Sequence, residues 1–310
     1  MRILRRIVLG LVSAVVGVIV LATLASFAYN AVTSDANVPV TKLWRGKFVT
    51  ADGVLTAYRA WGTHGSPIVL VGGFLEPSFV WNGVGPRLAA SGHRVYALDL
   101  DGFGYSERRG PSSLAEWADQ VEGFAAALGL KRPVVVGHSL GAAVALEVAR
   151  RGKASRVVLL DGDGLSIGGP PRWVRNVLVR LPFFTSALRL APHAHWAVRR
   201  ILANAYGPKR PKLDDTEIAR WTDQLRATGA RTGLQRLAVN GLAGFTRPEL
   251  QKLKVEARVV WGAEDKVDSP AAGRTSAHDL HAPFVEIPGA GHLSMLTAPA
   301  AVATAISAEE

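Results

Sequence analysis

The stretch Val134-Val135-Val136-Gly137-His138-Ser139-Leu140-Gly141-Ala142-Ala143-Val144-Ala145-Leu146-Glu147-Val148-Ala149-Arg150-Arg151 decides the fold. A short β-branched run ends at Gly137, and a helical pattern opens at Leu140. Between them stands one serine flanked by glycines at 137 and 141. A side chain held on so sharp a strand-to-helix turn needs neighbours without bulk, which the two glycines supply. Ala142 and Ala143 then let the helix lie close on whatever the strand belongs to.

Working outward, similar apolar runs recur. Residues 68–71 end at Gly72-Gly73, 94–98 end at Asp99, and 156–160 end at Asp161. Residues 258–261 and 284–287 complete the series, and 48–50 and 55–58 form a hairpin candidate around Asp52-Gly53. Helical patterns such as 114–128 and 140–151 lie between most of them. Apolar strands alternating with helices predict an α/β fold, a mostly parallel sheet covered on both faces, with chemistry at the carboxyl ends of the strands. Residues 162–246 interrupt the alternation. They are rich in Pro, Arg and Trp and read as a helical insertion.

A serine hydroxyl becomes a nucleophile only when an imidazole takes its proton and a carboxylate orients that imidazole. Near the carboxyl end, Trp261-Gly262-Ala263-Glu264-Asp265 puts an acid after a strand, and Ile287-Pro288-Gly289-Ala290-Gly291-His292 puts a histidine after the last one. Asp163, just past residues 156–160, is the rival acid. Asp161 and Glu264 read as structural or solvent-facing, and Asp99 and Asp101 as turn formers. His138 reads as lining the pocket or the neighbouring loop. His193 and His195 read as plain residues of the insertion, and His278 and His281 as surface residues. No metal and no cofactor are expected. Gly102-Phe103-Gly104 and Gly162-Asp163-Gly164 do not complete a dinucleotide fingerprint.

These segments together resemble the α/β-hydrolase family, in particular its capped, serine esterase- and lipase-like members. The resemblance rests on the turn at 137–141, the acid loop at 262–265 and the base loop at 291–292. Asp99-Leu100-Asp101-Gly102-Phe103-Gly104-Tyr105-Ser106 is similar to the family's loop after its fourth strand. Gly72-Gly73-Phe74, with Trp81 beyond it, is similar to its oxyanion loop. It implies Ser139 as nucleophile, His292 as general base and acid, Asp265 as orienting carboxylate, and the backbone N–H groups of Phe74 and Leu140 as oxyanion donors. Many relatives carry His-Gly where this chain has Gly72-Gly73, a change that bears on the packing of that loop. The implied organisation is a core of 43–161 and 247–310 with a cap at 162–246. The implied reaction is cleavage of a carboxylic ester, lipid esters among them, through an acyl-enzyme. A perhydrolase or a carbon–carbon bond hydrolase would use the same three residues, and a non-catalytic binding protein could use the same scaffold. An aspartate nucleophile, as epoxide hydrolases and haloalkane dehalogenases require, is absent from position 139.

The chain has 310 residues, no cysteine and a formal charge of +11. Disulfides, a cysteine nucleophile and thiolate metal sites are therefore excluded. With 48% hydrophobic and 20% charged residues, the composition is that of a packed protein. The excess charge sits in Arg2, Arg5 and Arg6 and in 162–246, which holds 13 Lys/Arg against 5 Asp/Glu. That placement differs from a nucleic-acid-binding face, and no nucleic acid is expected. Residues 7–29 are mostly apolar and uncharged. As a helix they span about 34 Å, enough for a hydrocarbon core. The preceding arginines predict a cytoplasmic amino terminus and an extracytoplasmic remainder. Residues 1–30 are read as a membrane anchor, with a signal peptide cleaved near Ser26-Phe27-Ala28 as the alternative, and 31–42 as a polar linker. In 172–181, Trp173, Val174, Val177, Leu178 and Leu181 share one helical stripe. The stripe is expected to cover the core, and an interfacial helix on anionic lipid is the alternative. An apolar, aromatic cap predicts a hydrophobic acyl or alkyl substrate.

Overall fold

The computed structural model describes residues 2–110 and 112–308. Eight strands form one sheet: β1 (Lys47–Ala51), β2 (Val54–Trp61), β3 (Pro67–Val71), β4 (Arg94–Leu98), β5 (Val134–His138), β6 (Val157–Leu160), β7 (Ala257–Gly262) and β8 (Phe284–Ile287). Their spatial order is β1-β2-β4-β3-β5-β6-β7-β8. β1 and β2 form an antiparallel hairpin closed at Asp52-Gly53, both at positive φ, and β2 runs antiparallel to β4. From β4 to β8 the sheet is parallel. This is the α/β-hydrolase fold.

The central parallel strands are mostly apolar because both faces are covered. Val69, Val71, Val135, Val157, Leu159, Val259 and Trp261 point to one layer, where Trp117, Val121 and Phe124 of the helix Leu114–Ala127 and Val144 and Leu146 of the helix Leu140–Arg150 meet them. Ile68, Leu70, Val136, Val158, Leu160 and Val260 point to the other, against Leu88, Val302 and Ile306. Each such side chain buried contributes roughly 1.5–3 kcal/mol. The helix Leu114–Ala127 starts where it does because Ser113 and Glu116 exchange side-chain and backbone hydrogen bonds in a capping box.

Between β6 and β7 the insertion forms helices Arg172–Arg180, Pro182–Leu190, His195–Tyr206, Asp215–Thr222 and Ala230–Asn240. Tyr206, Ile218 and Trp221 join the second layer and tie the insertion to the core. The stripe expected to cover the core does not: Trp173 is 70% exposed and Val177 54%, while Val179 is the buried residue of that helix. The first helix runs from Arg2 to Val32, and Leu9–Val32 is long and apolar enough to cross a membrane. Residues 33–39 are pinned rather than free. Val38 bridges to Ala227, and Asp35 pairs with Arg189 and Arg231.

Candidate active site

Ser139 sits between β5 and the helix that follows, with φ +51° and ψ −118°. A non-glycine residue in that region costs roughly 1–3 kcal/mol, met here by the packing around the turn. A Cβ on Gly137 would lie 2.0 Å from the Gly141 carbonyl oxygen, so the turn closes only around glycine.

His292 and Asp265 come together across 27 residues of sequence. His292 Nδ1 is 2.8 Å from Asp265 Oδ2, and each residue is 6% exposed. The other carboxylate oxygen accepts from the amides of Val267 and Asp268 at 2.8 and 3.0 Å. The pairing leaves Nε2 as the free nitrogen for proton exchange. Backbone bonds from Ala263 N to Ile287 O and from Glu264 N to Ala290 O hold the acid and base loops side by side. Asp163, the rival acid, instead accepts from the Leu165 amide at 2.8 Å.

Ser139 and His292 line one cavity of about 250 Å³. Phe74 and Leu140 form part of its wall, as do Leu165, Ile167, Leu242 and Val267. Asp163 and Asp268 add a polar side; burial, with Asp163 and Asp265 nearby, pushes the Asp268 carboxyl up to about 6. Apart from Asp163 and Ser166, the side chains that the insertion contributes to this wall are aliphatic. Its aromatic residues Trp173, Phe183, Phe184 and Trp196 lie elsewhere, contrary to the expected aromatic cover. Neither the Phe74 nor the Leu140 amide donates a hydrogen bond among the described residues.

Beside this cavity lies a charged set of which the sequence marks His138 and Asp161 but not Glu76. His138, fully buried, has Nδ1 2.7 Å from Glu76 Oε2 and Nε2 2.7 Å from the carbonyl oxygen of His292. The same Glu76 oxygen accepts the Gly73 amide at 2.7 Å. Burial opposes a charged His138, but the adjacent Glu76 carboxylate outweighs it and pushes the imidazole up to about 9. Glu76 is in turn held below the ordinary carboxylate range: burial works against this, and His138 overrides it. On the far side, Asp161 Oδ2 is 3.8 Å from His138 Nε2 and also accepts from Ser294, while Oδ1 accepts the Gly262 amide at 2.6 Å. Burial pushes Asp161 up to about 6. Asp161 is therefore structural, and not solvent-facing. The Gly72-Gly73 loop owes its shape to Glu76: a Cβ on Gly72 would fall 2.9 Å from the Glu76 carbonyl oxygen, leaving no room for a larger residue.

The remaining candidates fall outside the cavity. Asp99 accepts from the amides of Ser78 and Tyr105, and Asp101 from those of Arg109 and Gly110, which shapes the loop after β4. His195 stands 3.0 Å from Asp215 on the insertion, and the His278 side chain is 84% exposed.

Residues 68–305 match the alpha/beta hydrolase family. Among curated proteins, N-formylmaleamate deformylase of Pseudomonas putida is 35% identical over 153 residues, 47% of this chain. The match spans 54% of the deformylase, about half its length. A thermophilic esterase from Thermogutta terrifontis superposes with a TM-score of 0.70 at 23% identity, covering 85% of this chain and 97% of the esterase. A membrane phospholipase A described as a bacterial virulence factor gives 0.63 at 21% identity, covering 97% of this chain and 96% of the other. At those identities the two solved structures speak to the fold.

Proposed function

Since the chain belongs to the alpha/beta hydrolase family, we propose that it is a membrane-tethered serine hydrolase that cleaves carboxylic esters, lipid esters among them. The observation that carries this reading is the Asp265–His292 pair, 2.8 Å apart, with His292 lining the same cavity as a serine on a strained strand-to-helix turn.

In this mechanism His292 Nε2 takes the Ser139 proton as Oγ attacks the ester carbonyl. Asp265 holds the imidazole in the tautomer that exposes Nε2 and stabilises the imidazolium that forms. The unpaired amides of Phe74 and Leu140 receive the oxyanion, each worth about 3–4 kcal/mol in the transition state. Collapse expels the alcohol, protonated by His292, and leaves an acyl-serine. Water, deprotonated by His292, then releases the acid. The aliphatic wall of Leu165, Ile167 and Leu242 suits a hydrocarbon acyl or alkyl group. The three arginines before the apolar run support a topology with the hydrolase part outside the cytoplasm.

Hydrolysis of p-nitrophenyl esters of rising chain length by the full chain in detergent tests the reading. Asp265→Asn should lower kcat by about 10³–10⁴-fold, whereas Asp163→Asn should change it by less than about threefold. The reverse order would assign the acid to Asp163. No hydrolysis of any ester by folded protein would refute the esterase assignment.

A further inference from the structure

The first helix and the insertion are joined in a way that fixes the depth of the insertion. Thr23, Ser26 and Asn30 lie at spacings of three and four on one face of the mostly apolar helix Arg2–Val32, and Thr33 follows directly after its end. Ser26, 7% exposed, has its hydroxyl 2.6 Å from that of Ser186, and Asn30 Nδ2 donates to the Pro182 carbonyl at 2.9 Å. Arg189 donates to the Asn30 carbonyl at 2.9 Å and, with Arg231, pairs with Asp35 at 3.0 and 2.8 Å. Ser26 and Asn30 lie inside the apolar run Leu9–Val32. At ~1.5 Å per residue, Ser26 is about 9 Å short of the end of that run. A helix bonded to both residues lies at the boundary between the acyl chains and the headgroups when the run crosses a bilayer.

The surface presented there suits that depth. Trp173, Val177, Leu178, Leu181, Phe183 and Leu190 are all exposed on the helices Arg172–Arg180 and Pro182–Leu190 or at their junction. Between Asp163 and Asp214 the chain carries nine Lys/Arg and no acidic residue. A groove of about 550 Å³ on the same insertion is lined by Trp196, Arg199, Arg200, Arg210 and Lys212 among others. Arg200, Arg210 and Lys212 have no acidic partner among the described residues. Exposed apolar side chains and unpaired cations on one insertion match the boundary between acyl chains and anionic headgroups. The path inward is short: Ile167, 68% exposed, lines the Ser139 cavity and precedes the helix Arg172–Arg180 by five residues.

We propose that the insertion is seated in the surface of an anionic phospholipid bilayer, and that its seat delivers a membrane lipid ester to the Ser139 cavity from the bilayer. This deepens the reading above and rests on its membrane-spanning helix and serine nucleophile.

The test uses the full chain in nanodiscs of phosphatidylcholine, with or without phosphatidylglycerol, carrying lipids brominated near the headgroup. Trp173 fluorescence, taken as the difference between the wild type and Trp173→Phe, should be quenched, and more strongly with phosphatidylglycerol. Trp173→Glu with Val177→Glu should lower hydrolysis of a bilayer-embedded ester at least tenfold and leave a short water-soluble ester within twofold. No Trp173-dependent quenching in the anionic discs would overturn the seat, and equal quenching in both lipids would overturn its anionic character. A double variant that hydrolyses the embedded ester as the wild type does would overturn delivery from the bilayer. Failure of the wild type on the soluble ester would strike the hydrolase reading alone, because the quenching is read without catalysis and without the double variant.

Discussion

Glu76 and His138 tie together three loops that have to agree. Through one oxygen Glu76 holds the Gly73 amide, next to Phe74, and the His138 ring; the other ring nitrogen of His138 reaches the His292 carbonyl. The proposed oxyanion loop and the base loop are thus set relative to each other by one buried imidazole. Replacing it with an amide of similar reach keeps part of that geometry and removes the charge. His138→Gln is expected to lower kcat about tenfold with KM within twofold, since the loss falls on transition-state alignment; steady-state kinetics on a soluble ester check this. Stability should follow the same pair. His138 is raised to about 9 in the folded chain, so its contribution is complete below the ordinary histidine value near 6.5 and is lost as pH rises through about 9. Glu76 is lowered, so its share is lost only as pH falls into the acid range, and the cost of ionising Asp161 develops between about 4 and 6. Between pH 6.5 and 9 the histidine therefore governs this set. Tm measured across that window should fall by several degrees in the wild type and stay nearly level in His138→Gln. The sharp turn at Ser139 and the meeting of Asp265 with His292 were legible in the sequence because each stands in a local turn with its own glycines. Glu76 was not, because its partner lies 62 residues away and nothing in its own neighbourhood marks it.

At the scale of elements, the turn around Ser139 is the least forgiving part of the chain. With the Gly141 carbonyl 2.0 Å from where a Gly137 side chain would begin, Gly137→Ala forces strand and helix apart. The expected loss is about 3 kcal/mol, at the upper end for overpacking, and is read by urea unfolding of the detergent-solubilised protein. The strands were legible almost to the residue. The central parallel strands β3, β5, β6 and β7 are short, apolar, β-branched runs buried on both faces, each followed or ended by Gly, Ser or Asp, and the hairpin carries its own signal at Asp52-Gly53. The orientation of Arg172–Arg180 was not. A stripe at helical period says that something covers it; whether that is the protein core or a membrane depends on how neighbouring elements pack. Here Val179 takes the inward place and Trp173 the outward one.

For the whole molecule, the first helix and the insertion behave as one body because polar groups inside an apolar helix found partners on the insertion. Averaged hydropathy conceals this pattern: the run reads as apolar, while Thr23, Ser26 and Asn30 form a line along it. Asp35 secures the exit of that helix. Burial works against its charge, but hydrogen bonds from Arg231 and Arg189 hold its carboxyl below the ordinary range. Asp35→Asn should loosen the joint, costing about 1 kcal/mol for a partly exposed pair of bridges, and should speed amide hydrogen exchange in Pro182–Leu190 while leaving β3 to β7 unchanged.

The most direct test of the central claim is covalent labelling of the folded full chain with a fluorophosphonate, followed by peptide mapping. The proposed mechanism predicts one label, on Ser139, that is absent in Ser139→Ala and forms at least about 10³-fold more slowly in His292→Ala. A folded wild-type chain that takes no label, or takes it on another residue, would contradict an activated Ser139.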